Sequence, residues 1–283
     1  MKIINLMENT EGENNCLYEH GLSIYIETKK HKILVDTGAS SAFLQNANKH
    51  NIDVSDIDIV FLSHGHYDHA GGLMEFAKAN SKASIYMQAN AGDEFYHKND
   101  TMEKYIGIDK EILKLPQVKL LSGNAVIDEG ISVFSGIKGR RHFPSGNLEL
   151  MVKRVCDTGD DNQVSFLQDD FSHEQCLVLC EDEKKVLISG CAHNGILNIL
   201  DEYRSLYGAN PDMVISGFHL MKKTGYSSED IGNIKAIANE LKEMDTLFYT
   251  GHCTGIEPFG IMKEIMGDKL IYVHSGDVIY DQD

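Results

Sequence analysis

Short apolar runs alternate with polar turns along most of the chain, and they predict strands separated by helices. Each run has the length of a buried strand and is bounded by turn-forming residues such as Gly, Asn and Asp. In the first part of the chain the predicted strands are 2–7, 22–28, 32–35, 57–62 and 84–88. Between them, 40–49 and 72–80 place apolar side chains at helical spacing, so we expect a helix in each.

The second half shows the same alternation. Its predicted strands are 175–180, 185–189, 213–216, 246–250, 270–273 and 278–280, and its predicted helices are 195–206, 228–244 and 260–266. Two strand-rich halves with intervening helices predict a mixed α/β (α+β) fold, a four-layer αββα sandwich. We expect a single domain over residues 1–283, because no linker, repeat or low-complexity stretch interrupts the pattern.

Residues 89–171 follow the pattern less clearly. A helix is expected at 109–115, and strands of a second sheet are expected at 118–121, 125–127 and 131–137. The segment 139–161 is polar, rich in glycine and too long for a simple connection. We therefore expect a substrate-side insertion around 89–171, with a loop or lid in it; an ordinary solvated loop is the alternative.

Composition and charge narrow the choice of partners. The chain is 42% hydrophobic, enough for a large core, and its formal net charge is −17. Nucleic acids and anionic membranes require a basic surface, so neither is expected as a partner. Arg140 and Arg141, next to Lys138, form the dense basic cluster, and we expect them to bind a small anionic substrate through bidentate contacts. No sequence feature indicates an oligomeric state.

The six cysteines indicate reduced thiols rather than a disulfide framework. They are irregularly spaced and include no Cys-x-x-Cys pair. The sequence shows neither a signal-peptide pattern nor an apolar run long enough to span a membrane. We therefore expect a cytoplasmic protein.

Four metal-ligating side chains follow the predicted strand 57–62 directly: His64, His66, Asp68 and His69. A strand that ends in a tight, glycine-containing turn directs such side chains into one small volume. Imidazole together with carboxylate is typical of zinc, manganese or iron rather than calcium or magnesium. A lone histidine is usually a hydrogen-bonded residue, but this spacing behind a strand predicts a metal site.

Four further histidines lie at the ends of predicted strands in the second half. His173 begins one strand, and His193, His219 and His252 each follow another. A site with two metal ions needs more than four protein ligands. These histidines are the candidates.

The 64–69 motif resembles the signature of the metallo-β-lactamase fold superfamily. The resemblance implies that the first two histidines bind one metal ion, and that Asp68 and His69 bind a second. It also implies that His173 is the third ligand of the first ion and His252 the last ligand of the second.

One position departs from that family pattern. Where the family usually has Gly-Asp with a bridging carboxylate, this chain has Gly190-Cys191, and His193 follows. Either Cys191 or His193 replaces the carboxylate, or the second ion binds more weakly. We favour His193, because its turn also brings a helix N-terminus to this point. Cys191 is then a ligand or a residue that orients one.

Three further roles follow from the resemblance. Asp36 would orient the ligand loops without binding metal itself, with an ordinary strand-ending turn as the alternative. Asp68 would orient the nucleophile as well as bind metal. His219 occupies the place of a proton-donating histidine in some phosphodiesterases of the superfamily, with a metal role as the alternative.

Over nearly the whole chain the motifs resemble a narrower branch, named for the dihydropterin ribofuranosylaminobenzene-phosphate synthase of methanopterin biosynthesis. The motifs that carry this resemblance are Glu-Asn-Thr at 8–10, Glu-His-Gly-Leu-Ser at 19–23, Gly-Cys-Ala-His-Asn-Gly at 190–195, Gly-Phe-His-Leu at 217–220 and Gly-His-Cys-Thr-Gly at 251–255. Most members of the branch are described only as metal-dependent hydrolases.

The resemblance implies a metal-dependent hydrolase with two divalent metal ions, zinc first and manganese or iron as alternatives. The ions would lower the pKa of a bound water to about 7 and present hydroxide as the nucleophile. We expect a phosphoesterase acting on a small phosphate ester or a related anionic metabolite. Lactones and thioesters are the alternatives, because the same hydroxide attacks carbonyl groups.

Other classes of function differ in what they require. A synthase or transferase of pterin biosynthesis would need an aromatic-lined pocket, for which Tyr67 is one candidate. A redox role is disfavoured, because the diiron branch carries an acidic residue at the position of His66 and needs a flavin domain. A metal sensor without turnover would be recognised by its inactivity toward esters.

Overall fold

The structure, a computed structural model, describes residues 1–12, 15–157 and 162–282. The strands are β1 (Lys2–Met7), β2 (Ser23–Glu27), β3 (Lys32–Val35), β4 (Ile59–Phe61), β5 (Ser84–Gln88), β6 (Glu94–Lys98), β7 (Glu103–Tyr105), β8 (Val118–Leu121), β9 (Ala125–Asp128), β10 (Ile131–Ser135), β11 (Leu150–Asp157), β12 (Asn162–Gln168), β13 (Gln175–Glu181), β14 (Lys184–Ser189), β15 (Met213–Ser216), β16 (Leu247–Thr250), β17 (Leu270–Tyr272) and β18 (Val278–Asp281). The helices are α1 (Ala42–Lys49), α2 (Tyr67–Ala70), α3 (Leu73–Ala79), α4 (Ile196–Tyr207), α5 (Ser228–Lys242) and α6 (Ile256–Met266).

Two seven-stranded sheets form the centre of the molecule. Their strand orders are β18-β1-β2-β3-β4-β5-β8 and β17-β16-β15-β14-β13-β10-β9. In each sheet one half is antiparallel and the other parallel: β3, β4, β5 and β8 run in one direction, as do β14, β15, β16 and β17. Parallel neighbours need crossover connections, and α1, α3, α4, α5 and α6 lie in them.

Apolar side chains fill the space between the two sheets. Val35 and Phe61 of the first sheet and Ile188 and Ile215 of the second belong to one buried cluster. On the outer faces, α1 and α3 cover the first sheet and α4, α5 and α6 cover the second. The four-layer αββα prediction is confirmed.

The segment 89–171 contains strands and strand pairings that the sequence did not predict. β12, β11, β6 and β7 form a third, four-stranded sheet in that order, and β8 joins the first main sheet, not the second as predicted. Residues 150–157 form a strand, although 139–161 was predicted as a loop. The strand was missed because the charged side chains of Lys153 and Arg154 mask the alternation that buries Leu150 and Val152. Residues 158–161 of that loop lie outside the described residues. A substrate-side role for this segment stays a prediction.

Local sequence explains where two of the helices begin. α6 begins earlier than predicted, because Pro258 lies in its first turn, where the missing N–H needs no partner. In α5, Ser227 and Asp230 form a reciprocal capping box. In the described parts of the chain, every helix is too short or too polar to cross a membrane.

Candidate metal centre

The metal-ligating side chains lie where parallel strands end. β4 leads into the 64–69 motif, and β14, β15 and β16 lead into the turns that carry Cys191 with His193, His219, and His252. The carboxyl ends of parallel strands meet at one edge of a sheet. These turns from the two sheets therefore come together at one edge of the sandwich.

Three buried histidines form what we call the inner cluster: His64, His66 and His193. Their ligand atoms lie within 4.8 Å of one another, and the Nε2 atoms of His64 and His193 are 3.3 Å apart. Burial, together with the neighbouring imidazoles, lowers the pKa of His66 to about 3 and holds the pKa of the other two well below the usual value. Neutral imidazoles keep a free lone pair, the form that binds a metal ion.

A second group, the outer cluster, consists of His20, Asp68 and His252. The Nε2 atoms of the two histidines each lie 3.3 Å from Asp68 Oδ2. Burial opposes ionisation of Asp68, but His69, His20 and His252 hold its pKa well below the usual range. The Glu-His-Gly-Leu-Ser motif marked His20 through the family resemblance, but sequence reasoning did not assign it as a possible ligand.

His69 and Cys191 lie between the two clusters. His69 Nε2 is 3.2 Å from Cys191 Sγ and 3.7 Å from Asp68 Oδ2. On the other side of the ring, His69 Nδ1 is 2.6 Å from Asp36 Oδ2. Burial lowers the pKa of His69, but the carboxylates of Asp36 and Asp68 outweigh it and raise the pKa to about 9. Asp36 thus orients the imidazole that joins the clusters.

Hydrogen bonds at Nδ1 leave Nε2 of the other ligand histidines directed into the site. The pairs are His64 Nδ1 with Ser63 Oγ (2.9 Å), His193 Nδ1 with Asn147 Oδ1 (2.9 Å) and His252 Nδ1 with Asn9 Oδ1 (2.8 Å). An acceptor at Nδ1 fixes the proton there, so the lone pair is at Nε2. Ser63 is itself held by Asp36, which accepts hydrogen bonds from its backbone N–H and its hydroxyl.

Two buried glutamates hold the ligand turns in place. Glu174 accepts hydrogen bonds from the backbone N–H groups of His193 (2.6 Å) and Asn194 (2.9 Å). Glu8 accepts one from the backbone N–H of His252 (2.6 Å). Sequence reasoning missed both roles. For Glu8, the Glu-Asn-Thr motif was a signal; for Glu174, only its place next to His173 was.

The backbone is strained at four positions of the site. Asp36, Ala192, His219 and His252 have φ angles of 58°, 50°, 50° and 49°. A residue with a Cβ in this left-handed region costs about 1–3 kcal/mol, and surrounding contacts must enforce it. Each of these residues follows a strand end, where the strained turn redirects the chain toward the site.

Two buried nitrogen atoms test whether the site suits a metal ion. His66 Nε2 is buried and makes no hydrogen bond, and His252 Nε2 is buried with the Asp68 carboxylate 3.3 Å away. A buried polar atom without a partner is unfavourable, and such atoms in a cluster indicate a missing ligand. The donors around them are imidazoles, one carboxylate and one thiol, a set that suits zinc and also iron or manganese. The residues fit the ions that the motif predicts.

His173 lies beside His66 and Asp169, and the ligand atoms of the three residues are within 4.8 Å of one another. Its Nδ1 accepts a hydrogen bond from the Gly65 N–H (2.9 Å), and its Nε2 lies 3.1 Å from Asp169 Oδ2. The role of His173 as a ligand of the first ion therefore stays a prediction. The structure also places His193 with His64 and His66, and Cys191, not the favoured His193, in the position between the clusters.

The two arginines expected to bind substrate are directed at the protein. Arg141 pairs with Asp201 (2.8 Å) and with Glu240. Arg140 donates to the backbone carbonyls of Ile137 and Gly139 and to the side chain of Asn194. These guanidinium groups fasten the segment that contains them to the domain, and their binding of a substrate anion stays a prediction.

Tyr67 and His219 each lie next to a residue of the inner cluster. Tyr67 begins α2 and packs against the apolar cluster of Phe95 and Phe171, with Lys104 Nζ 4.9 Å from its ring centre. The ring of His219 lies 4.2 Å from that of His193. His219 also lines a surface pocket together with Gly146 and Tyr226.

Comparisons with known proteins agree with this geometry. The family model for the metallo-beta-lactamase superfamily matches residues 19–219. The 7,8-dihydropterin-6-methyl-4-(beta-D-ribofuranosyl)-aminobenzene-5'-phosphate synthase of Methanocaldococcus jannaschii is 28% identical over 300 residues, covering 99% of this chain and 96% of that protein. An uncharacterized protein of the same organism is 27% identical over 285 residues, covering 97% and 98% of the two chains.

A solved structure resembles the whole molecule. It is described as Tm1679, a metal-dependent hydrolase of the beta-lactamase superfamily; it is 31% identical, with a TM-score of 0.81 over 100% of both chains. The segment matched by the family model contains the 64–69 motif, Cys191 and His193. The chain is an enzyme of the metallo-β-lactamase superfamily, with the fold of its metal-dependent hydrolases.

Proposed function

We propose that the protein is a hydrolase that uses two divalent metal ions, with zinc as the first expectation, to cleave a small phosphate ester or a related anionic metabolite. The observation that carries this proposal is the pairing of the inner and outer clusters, joined through His69 and Cys191. When bound, such ions polarise the scissile group and activate a water molecule. The protein side chains hold the ions, orient the water and supply the proton.

The residues divide between the two ions. His64, His66 and His193 would hold one ion, and Asp68, His69 and His252 would hold the other, with Cys191 facing both. Ser63, Asn147 and Asn9 keep the Nε2 lone pairs directed inward. The carboxylate of Asp68 stays ionised, so it can also accept a hydrogen bond from the attacking water and orient it.

His219 would supply the proton to the leaving group. Gly146 lies next to His219 Nε2, where a Cβ would be 3.3 Å away, and both residues line the surface pocket. A proton on Nε2 would therefore be close to that pocket. The rings of the inner cluster are fully buried, whereas His219 is partly exposed.

Charge and family support a small anionic substrate. The formal net charge of −17 repels polyanions, so an anion would be drawn only to a local site of positive charge. Two divalent ions held largely by neutral imidazoles are such a site. The related synthase of Methanocaldococcus jannaschii carries a ribofuranosyl 5'-phosphate in its name. Lactones and thioesters remain the alternatives that a substrate panel separates.

A substrate panel combined with metal analysis tests the proposal. The zinc-loaded protein is assayed with phosphomonoesters, phosphodiesters, lactones and thioesters, and compared with His66→Ala. The expected result is phosphoester hydrolysis in the parent and the loss of both one ion and turnover in the variant. His97→Ala, outside the clusters and paired with Glu149, is the matched control and keeps both. Turnover by the metal-free protein would refute the proposal.

The second candidate is a synthase or transferase. It is favoured by one observation: the similarity to the pterin synthase extends over 99% of this chain. The two functions differ in their need for a second substrate. Product formation only when an acceptor amine or aromatic compound is added would favour the synthase, and release of phosphate with water alone would favour the hydrolase.

A further inference from the structure

Two buried thiols and an imidazole meet behind the two clusters. The ligand atoms of Cys191, His219 and Cys253 lie within 4.8 Å of one another. Both cysteines are buried and free. His219 Nδ1 is buried and makes no hydrogen bond. We call this group the thiol niche; only Cys191 and His219 have a role in the proposed reaction, and Cys253 has none.

Three neighbouring strands build the niche. Its residues follow β14, β15 and β16, which are adjacent and parallel in the second sheet. The turns are tied to one another, because Gly217 N–H donates to the Gly190 carbonyl (2.8 Å) and Leu220 N–H donates to the Cys253 carbonyl (3.0 Å). The three donor atoms are therefore held close together by the backbone.

The residues around the thiol niche leave space for the cysteine sulfur atoms. Any Cβ at position 217 would collide with Cys253 Sγ, so glycine is required there. His219 adopts a left-handed backbone conformation, which brings its ring beside the cysteines. A lone buried thiol is commonly just a small apolar group. Two thiols with an unpartnered imidazole are a ligand set.

We propose that Cys191, His219 and Cys253 bind a thiophilic divalent ion of the zinc class, separate from the two ions of the inner and outer clusters. Two cysteines and one histidine are a known zinc donor set that leaves a fourth position open. Thiolate ligands select zinc, cobalt or cadmium over manganese or magnesium. Cys191 also contacts His69, so its sulfur bridges the niche and the main centre.

The niche would make the protein selective among metals. Hard ions such as Mn²⁺ would occupy only the histidine and aspartate clusters, whereas thiophilic ions would fill the niche as well. This inference does not depend on hydrolysis. The protein could bind a third ion and have any activity, so metal binding and turnover are tested separately.

Cadmium titration of the metal-free, reduced protein tests the proposal. Elemental analysis counts the ions, and near-ultraviolet absorption reports thiolate-to-cadmium bonds. We expect one more Cd²⁺ than Mn²⁺ per parent chain. In Cys253→Ser and in His219→Ala we expect the extra Cd²⁺ to be lost and Mn²⁺ binding to be kept. Cys253→Ser should also lose about half of the thiolate absorption, because one of the two thiolate ligands is gone.

Cys176→Ser and Cys180→Ser are the control variants. Cys176 is buried in the apolar cluster under α4 and α5, and Cys180 is exposed, so both should titrate like the parent. Equal Cd²⁺ and Mn²⁺ counts in the parent would overturn the proposal. So would loss of Mn²⁺ along with Cd²⁺ in both niche variants, or a Cys191–Cys253 disulfide in protein purified without oxygen.

Discussion

The inner and outer clusters, which are joined through His69 and Cys191, differ in charge and exposure. The inner cluster has three fully buried imidazoles, each held in the neutral form. The outer cluster contains the carboxylate of Asp68, and the side chain of His20 is 49% exposed. One group is neutral and closed, and the other is anionic and reaches solvent through His20.

This difference separates two tasks that one enzyme site must combine. A cation held by neutral ligands away from water keeps its full charge, which favours binding and polarising an anion. A carboxylate neutralises part of that charge, but it also accepts a hydrogen bond from a water molecule and so orients it. In the proposed reaction, the inner cluster would therefore polarise the substrate and the outer cluster would orient the nucleophile.

The largest effect is expected where the inner cluster loses a ligand. His193→Ala should remove one ion and lower kcat/KM by more than about 100-fold, the upper end for a residue that only orients a ligand. His173→Gln should keep the ion count of the parent, since both ring nitrogens of His173 face protein partners. Elemental analysis and steady-state kinetics check both. Retained stoichiometry in His193→Ala, with loss in His173→Gln, would restore the sequence-based assignment.

The histidines of the second half show what local sequence can and cannot predict. The 64–69 motif was identifiable because its four side chains lie on one turn behind one strand. The place of His193 beside this motif depends on the left-handed Ala192 and on the Glu174 hydrogen bonds to the turn that carries it. Those are long-range features, and residue spacing does not encode them.

The fold shows the same limit. Buried parallel strands such as β4 and β15 are continuous apolar runs, so they were predictable. β11 contains the charged pair Lys153 and Arg154 and pairs with the distant β6, so its sequence was taken for a loop. The protein partners of Arg141 were not predictable for a related reason, because Asp201 and Glu240 are far away in sequence.

The next effect concerns the pH dependence of stability in chelator-treated, metal-free protein. The pKa of His66 is about 3 when folded and about 6.5 when unfolded. Only the unfolded chain takes up this proton between those values, so the free energy of unfolding falls as pH decreases from about 6.5 to about 3. His69, with a folded pKa of about 9, acts oppositely: its contribution is complete below about 6.5 and is lost as pH rises through 9.

Urea denaturation over a pH series measures the free energy of unfolding on both sides of neutrality, which we call the acid limb and the alkaline limb of the stability curve. Each pKa unit corresponds to about 1.4 kcal/mol, so each histidine contributes on the order of a few kcal/mol. His66→Gln should flatten the acid limb, and His69→Gln the alkaline limb. An unchanged acid limb in His66→Gln would show that the inner cluster is not kept neutral by burial.

Smaller effects are expected from the amides that fix the ligand rings. Asn147→Ala removes the acceptor at His193 Nδ1 and should weaken inner-ion binding, whereas Asn9→Ala should weaken only outer-ion binding through His252. Loss of such a partner typically costs about 10–100-fold in metal affinity. Competition with a chromophoric chelator gives the two affinities. If both variants weaken the same ion, the clusters are not separate binding sites.

The smallest effect is expected outside both clusters, at Arg141. Its ion pairs with Asp201 and Glu240 hold the 139–149 segment to α4 and α5, and they are partly exposed, so they contribute about 1 kcal/mol or less. Arg141→Gln should therefore lower the free energy of unfolding slightly and change kcat/KM by less than about 2-fold. Lys138→Gln removes the same charge from the exposed neighbour and serves as the control. A KM raised tenfold or more in Arg141→Gln alone, with unfolding unchanged, would mean that Arg141 leaves its partners to bind the substrate anion, and that the segment moves during turnover.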